Sequence, residues 1–215
     1  MIQTIDDLLR EVGDDLIWRR KELTELKGIV EKSNGNLILS RVLLRTSVAI
    51  LYAHWEGFVK KSSRYYLEYV ASQRLPYEKL TANFIALTLK SKFSELGTNE
   101  KLSAGVDLAN FFCNSLSKQS KIPYKNGVDT QSNLSSVVLK DIITILGLDI
   151  SSFETKFRFI DSNLVNRRNH IAHGSNLDIS INDYFELHDE VSGLLECFRT
   201  QIENASMTKK FLKLP

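Results

Sequence analysis

The sequence predicts an all-α domain, and three observations predict it. Apolar residues recur at intervals of three and four along nearly every segment, the spacing of one face of a helix. Only three Pro and ten Gly punctuate the 215 residues, which favours helices over tight turns. No internal repeat, low-complexity run or shift in composition divides the chain, so residues 1–215 read as a single domain. Hydrophobic residues make up 43% and charged residues 25%, enough to build one sizeable core.

The elements follow in order. A first helix is expected from about Thr4 to Glu31, with Ile5, Leu8, Leu9, Val12, Leu16, Leu23, Leu26 and Ile29/Val30 on its apolar stripe. Ser33-Asn34-Gly35-Asn36 breaks it. A second, long helix is expected from about Leu37 to Gln73, with a possible kink at Ser62-Ser63. Beyond Pro76 a third helix carries Phe84, Leu87 and Phe93 and runs to Gly97; a fourth covers Leu102 to Leu116. Residues 117–133 hold Pro123 and the turn pair Asn126-Gly127 and form a loop, with room for a short hairpin. Leu134 to Leu146 is a short helix stopped by Gly147. Ser151 or Ser152 caps a helix from about Phe153 to His173, and a last helix covers about Ile181 to Asn204.

Several function classes are disfavoured. The net charge of +2 shows no global affinity for polyanions, so any such contact must be local. The first residues, Met1 to Asp7, are polar and acidic without an apolar run behind them, as expected of a chain with no signal peptide. No apolar run reads as long enough to cross a bilayer, so no membrane partner is expected. Cys113 and Cys197 stand alone among apolar neighbours and read as buried thiols, which fits a reducing cytoplasm.

Residues 166–174, Asn-Arg-Arg-Asn-His-Ile-Ala-His-Gly, carry the strongest chemical signal. Two Arg, two Asn and two His crowd the last turns of a helix that ends at Gly174. On helical phase, Phe157, Ile160, Leu164 and Ile171 form an apolar stripe with Arg168 on its edge. Ser162, Asn166, Asn169 and His173 share another face. Arg168 should therefore point partly inward, largely buried against a carboxylate or a phosphate. His173 lies at a helix C-terminus, where the dipole favours imidazolium. A guanidinium to hold charge and an imidazole to move a proton suit chemistry on a phosphate. Two blander roles stand beside this one: a structural ion pair for Arg168 and a helix-end cap for His173.

In the second helix Ala49, Ala53 and Gly57 recur at four and make a groove in which another helix can pack closely. Arg45, Tyr52 and Glu56 flank it. If the cluster helix packs there, Glu56 is the natural partner of Arg168; Asp161 is a second candidate. Alternatively, Glu56 forms only a surface pair with Lys60. Trp55 and Phe58 read as core; His54 and His188 read as surface or satisfied core residues. His170 and His173 have a spacing that permits a shared metal, but no Cys pair or acidic cluster completes a ligand set, so no metal and no cofactor is expected.

The pattern Arg168-Asn169-x-x-x-His173-Gly174 resembles the Arg-Asn-x-x-x-His signature of the HEPN superfamily. Leu51-Tyr52-Ala53-His54-Trp55-Glu56-Gly57-Phe58-Val59-Lys60 resembles the second-helix signature of the prokaryotic RiboL-PSP-HEPN type, and the helical insertion between the two segments resembles that group too. The resemblance implies an all-α, up-and-down bundle with extra helices, which dimerises. Many members are metal-independent endoribonucleases that act as toxins or in anti-phage defence. Carried over, Arg168 and His173 are the catalytic pair, Asn169 is the polar residue following the Arg, and His170, Ile171 and Ala172 occupy variable positions. Other members only bind nucleotides or assemble complexes, so a non-catalytic dimerisation or nucleotide-binding module is the alternative.

The expected reaction is RNA cleavage to a 2′,3′-cyclic phosphate, with His173 moving the proton and Arg168 stabilising phosphoryl charge. Arg168 and His173 point ~140° apart on one helix, so a homodimer is expected to complete the cleft. Lys60, Lys61 and Arg64 are expected to bind RNA, the commoner alternative being a solvated basic face. The expected partners are RNA, a second copy and an antitoxin or defence protein.

Overall fold

The computed structural model describes residues 2–90, 92–94, 102–131 and 133–213. The fold is all-α. Among the described residues there is no strand and no hairpin, only isolated bridges joining Pro76 to Gln119 and Leu80 to Leu212.

Three long helices build the frame. Helix α1, Ile5–Lys32, opens on a capping box: the Asp7 N–H donates to Thr4 Oγ1 (3.1 Å), and the Thr4 N–H donates to Asp7 Oδ2 (3.2 Å). It buries Leu8, Val12, Leu16, Leu23 and Val30. A 3₁₀ turn, Ser33–Gly35, reverses the chain, and Asn36 caps helix α2, Leu37–Ser72, by accepting from the Leu39 N–H. Helix α2 runs back along α1, so that Lys61 meets Asp15 and His54 meets Arg19. The possible kink at Ser62-Ser63 does not form. Both residues are buried, and the Ser63 hydroxyl donates to the Val59 carbonyl inside the helix (2.6 Å).

The C-terminal helix, named α9 below, spans Ile181–Met207. It lies antiparallel to α1, held at its margin by Lys27–Asp189 (2.7 Å) and Arg20–Glu196. Between these helices Trp55 and Phe58 pack edge-on against Phe198, with centroids 6.2 and 6.4 Å away. Both are core residues, as their sequence context predicts. His54 and His188 are buried too; His54 Nε2 lies 3.3 Å from Glu22, and His188 Nδ1 lies 2.9 Å from Asp189.

Helix α2 corrects the expectation that no segment could span a bilayer. By length and composition it is apolar enough, with a mean hydropathy of 1.3 over its richest window. From Leu44 to Val70 its buried apolar residues pack on α1 and α9, while Lys60, Lys61 and Arg64 line its open side. That is the pattern of a core helix within the bundle.

The insertion between α2 and the cluster holds α3, Ala82–Thr88, α4, Leu102–Asn114, and α5, Ser136–Leu146. The expected end of the third helix at Gly97 falls outside the described residues. Helix α5 stops at Gly147 in the left-handed conformation (φ +68°). Helix α4 buries none of its residues, and this corrects the reading of Cys113: its thiol is exposed. Cys197 is half-buried, with its Sγ 3.8 Å from the Ser152 carbonyl, and burial pushes its pKa up.

The cluster segment is less regular than a single helix. It consists of α6, Ser151–Glu154, α7, Phe157–Phe159, a π-helical turn over Ile160–Val165, and α8, Asn166–Ala172. Neither serine caps α6 as expected; the Asp149 carboxylate instead accepts from the Ser151 N–H (3.0 Å).

Candidate active site

The π turn sets the register of the cluster. It accommodates an extra residue, so Leu164 and Val165 both turn inward and are buried. Arg168 follows them at i+4 and i+3 and lands against α2. The same turn presents Asp161 to the start of α5, where its oxygens accept from the Ser136 N–H (2.7 Å) and the Ser136 hydroxyl (2.6 Å). Asp161 is thereby engaged elsewhere and is not the partner of Arg168.

Glu56 is not the ion-pair partner either, and Arg168 is half-buried rather than largely buried. The guanidinium lies 4.7 Å from the centroid of the Tyr52 ring. Its Nη1 donates to Asn133 Oδ1 (2.8 Å) and to Asn169 Oδ1 (2.9 Å). Glu56 stands beside the Tyr52 hydroxyl instead. Burial pushes the Tyr52 phenol up to about 12; the Leu134 N–H bond and the Arg168 charge pull against this, and Glu56 pushes the same way as burial. The physical reason for the correction is partial exposure. A half-open guanidinium keeps water on one side, so amide oxygens and an aromatic face suffice where a fully buried one would need a carboxylate.

Tyr52 is the hub that the sequence did not reveal. Its ring is buried under Arg168, and its hydroxyl accepts from the Leu134 N–H (2.6 Å). One aromatic residue thus meets Arg168, the turn leading into α5 and Glu56 together. Asn133 was equally hidden, because nothing in a loop sequence says which helix it will face.

His173 closes α8. Its backbone N–H donates to the Asn169 carbonyl (2.9 Å), its side chain is exposed, and Gly174 follows at φ +74°. Asn169 turns its side-chain amide oxygen to Arg168, and among the described residues its side chain makes no hydrogen bond with that of His173. His170 is exposed as well. Among the described residues, no three His, Cys, Asp or Glu side chains come together as a ligand set.

The predicted small-residue groove is only partly used. Ala53 is exposed, and what approaches Gly57 is the Arg19 guanidinium of α1: a Cβ there would stand 3.0 Å from Nη1. Lys60 and Arg64 are exposed on the same side of α2. Lys61 is drawn toward Asp15 (2.6 Å) instead of standing free.

The all-α bundle thus holds Arg168 against its second long helix and sets His173 at the end of the short helix that carries both. The family model described as RiboL-PSP-HEPN matches residues 14–204, and the chain belongs to this family. No curated protein and no solved structure matches the chain.

Proposed function

We propose that the protein is a metal-independent endoribonuclease whose active site is built on Arg168 and His173. The observation that carries this reading is the state of Arg168. Two amide oxygens and the Tyr52 ring hold the guanidinium in place without neutralising its charge. Among the described residues no carboxylate pairs with it, and its Nη2 and Nε make no hydrogen bond. A fixed, half-open cation with spare donors is prepared for a phosphoryl group.

In the reaction, the ribose 2′-oxygen forms a bond to phosphorus, and the bond from phosphorus to the 5′-oxygen breaks. One His173 takes the 2′-hydroxyl proton, and the partner copy's histidine protonates the leaving oxygen. Arg168 balances charge on the non-bridging oxygens. The products are a 2′,3′-cyclic phosphate and a 5′-hydroxyl. Asn169 orients Arg168, and Glu56 acts on it only through Tyr52.

The two-histidine scheme rests on a homodimer. The first turns of α2 support one: Leu37, Ile38 and Val42 are 87%, 81% and 58% exposed. Arg41, between them, donates to Asn176 Oδ1 (2.6 Å) in the loop that leaves Gly174, so this apolar patch lies near the His173 end of α8. In this reading the protein works in the cytoplasm as a toxin or defence effector, restrained or triggered by a partner protein.

The test is cleavage of single-stranded RNA in EDTA, with the ends analysed. Cleavage should persist in the chelator and leave cyclic-phosphate ends. His170→Ala should retain most of the activity, because His170 lies outside the Arg168–His173 pair. Loss of cleavage in EDTA, together with loss in His170→Ala, would point to a metal shared by His170 and His173. No cleavage under any condition, with nucleotide or partner binding intact, would favour the non-catalytic module.

A further inference from the structure

Further along α2 lies a second feature. Gly57, Lys60, Lys61 and Arg64 form one wall of a notch of about 260 Å³, and Tyr124, Lys125 and Val128 of the insertion loop form the other. Four cations line it, and no carboxylate does. Asp15, the carboxylate that Lys61 reaches, is already held by Arg19 as well. Lys60, Arg64 and Lys125 are exposed, and none of them has an ion-pair partner among the described residues.

The loop wall is firmly seated. Ile122 is buried, and the Lys121 N–H donates to the Tyr77 hydroxyl (3.0 Å). Gly127 is packed so tightly that a Cβ would stand 2.7 Å from the Pro123 carbonyl oxygen and 2.8 Å from Leu67. Tyr124 is half-buried against the core. A concave, rigid, cationic site drawn from two separate chain segments is more than a solvated basic face. Like charges held this close repel unless an anion joins them.

Its position gives it a meaning. Tyr52, Glu56, Lys60 and Arg64 follow one another at four-residue steps. Lys60 and Arg64 therefore stand ~12 and ~18 Å along the helix axis from Tyr52, where Arg168 sits. We propose that the notch seats a phosphate of single-stranded RNA a few nucleotides from the phosphate held at Arg168. Lys60, Arg64 and Lys125 then set the minimum length of RNA that binds well. The placement relative to the cut rests on the ribonuclease reading; the phosphate contact itself does not.

The experiment measures binding in EDTA by the full chain carrying His173→Ala, so that cleavage does not intervene. RNAs from about two to about twenty nucleotides are compared, a range that brackets site sizes for single strands. Affinity should rise in a step once the RNA reaches the notch. In Lys125→Ala and Arg64→Ala backgrounds the step should disappear, at a cost of about tenfold or more. The salt slope for the longer RNAs should fall by about 0.7 for each phosphate that the variant no longer neutralises. Circular dichroism checks that the variants fold. A smooth rise with length in the parent, or a step that survives both substitutions, overturns the proposal. So does adenosine monophosphate that saturates the notch while the long-RNA affinity stays independent of Lys125, since the site would then serve a free nucleotide. If the parent already cuts RNA despite His173→Ala, the catalytic reading fails, and the length step still judges the notch.

Discussion

His173→Ala should lower RNA cleavage by ~10²-fold or more while leaving the fold intact, because a positioned proton carrier contributes about that much. The side chain is exposed at the end of α8, so removing it disturbs no buried packing. Arg168 supplies the companion measurement. Because it is paired with amides and an aromatic ring, Arg168→Ala strands no carboxylate, and the variant should remain folded by circular dichroism. Its loss of activity should match or exceed that of His173→Ala. Arg168→Lys keeps the charge but cannot span Asn133, Asn169 and a phosphate at once, so it should restore little. The two single variants and the double variant should all be similarly inactive if the residues serve one step. Cleavage at the wild-type rate by His173→Ala would end the nuclease reading and leave the helical dimer module in its place.

The helical architecture is legible in the sequence because three-four periodicity is a local property. The stripe of α1, its capping box and the stop at Gly147 all follow from residues close in sequence. The signature residues are legible too, since Arg168 and His173 lie within one short segment. What escapes is whatever depends on meetings between segments. The π turn over Ile160–Val165 carries no periodic signal, yet it decides which way Asp161 and Arg168 face. Helical phase points Glu56 at Arg168, but phase gives a direction and not a reach; Tyr52 lies between them and takes both. The Phe neighbours of Cys113 suggest burial, although α4 buries none of its residues in this chain. The same limit hides the polar network between α1 and α2, whose members lie as far as 46 residues apart.

That network carries the largest expected effect on stability. Asp15 is 2% exposed, and its carboxylate accepts from Arg19 Nε (2.7 Å), Trp18 Nε1 (3.0 Å) and Lys61 Nζ (2.6 Å). Arg19, itself buried, also donates to the His54 carbonyl and stacks on the Trp18 ring. Asp15→Ala would leave the Arg19 guanidinium buried without its counter-charge, and should cost about 3–5 kcal/mol in a urea titration at neutral pH. Asp15→Asn keeps the shape and one acceptor oxygen, so the difference between the two variants separates charge from packing. The pH dependence gives an independent check. Burial pushes the Asp15 carboxyl up, but the bonds from Arg19, Lys61 and Trp18 outweigh it and hold the group below its ordinary 3.8. A depressed carboxyl stabilises the fold above its unfolded value and loses that contribution as pH falls through the folded one. The gap between wild type and Asp15→Ala should therefore be full at pH 7 and close in acid below 3.8. A gap under ~1 kcal/mol at pH 7 would mean that the pair behaves as a solvated surface bridge, and that the junction of α1 and α2 is held by its apolar contacts alone.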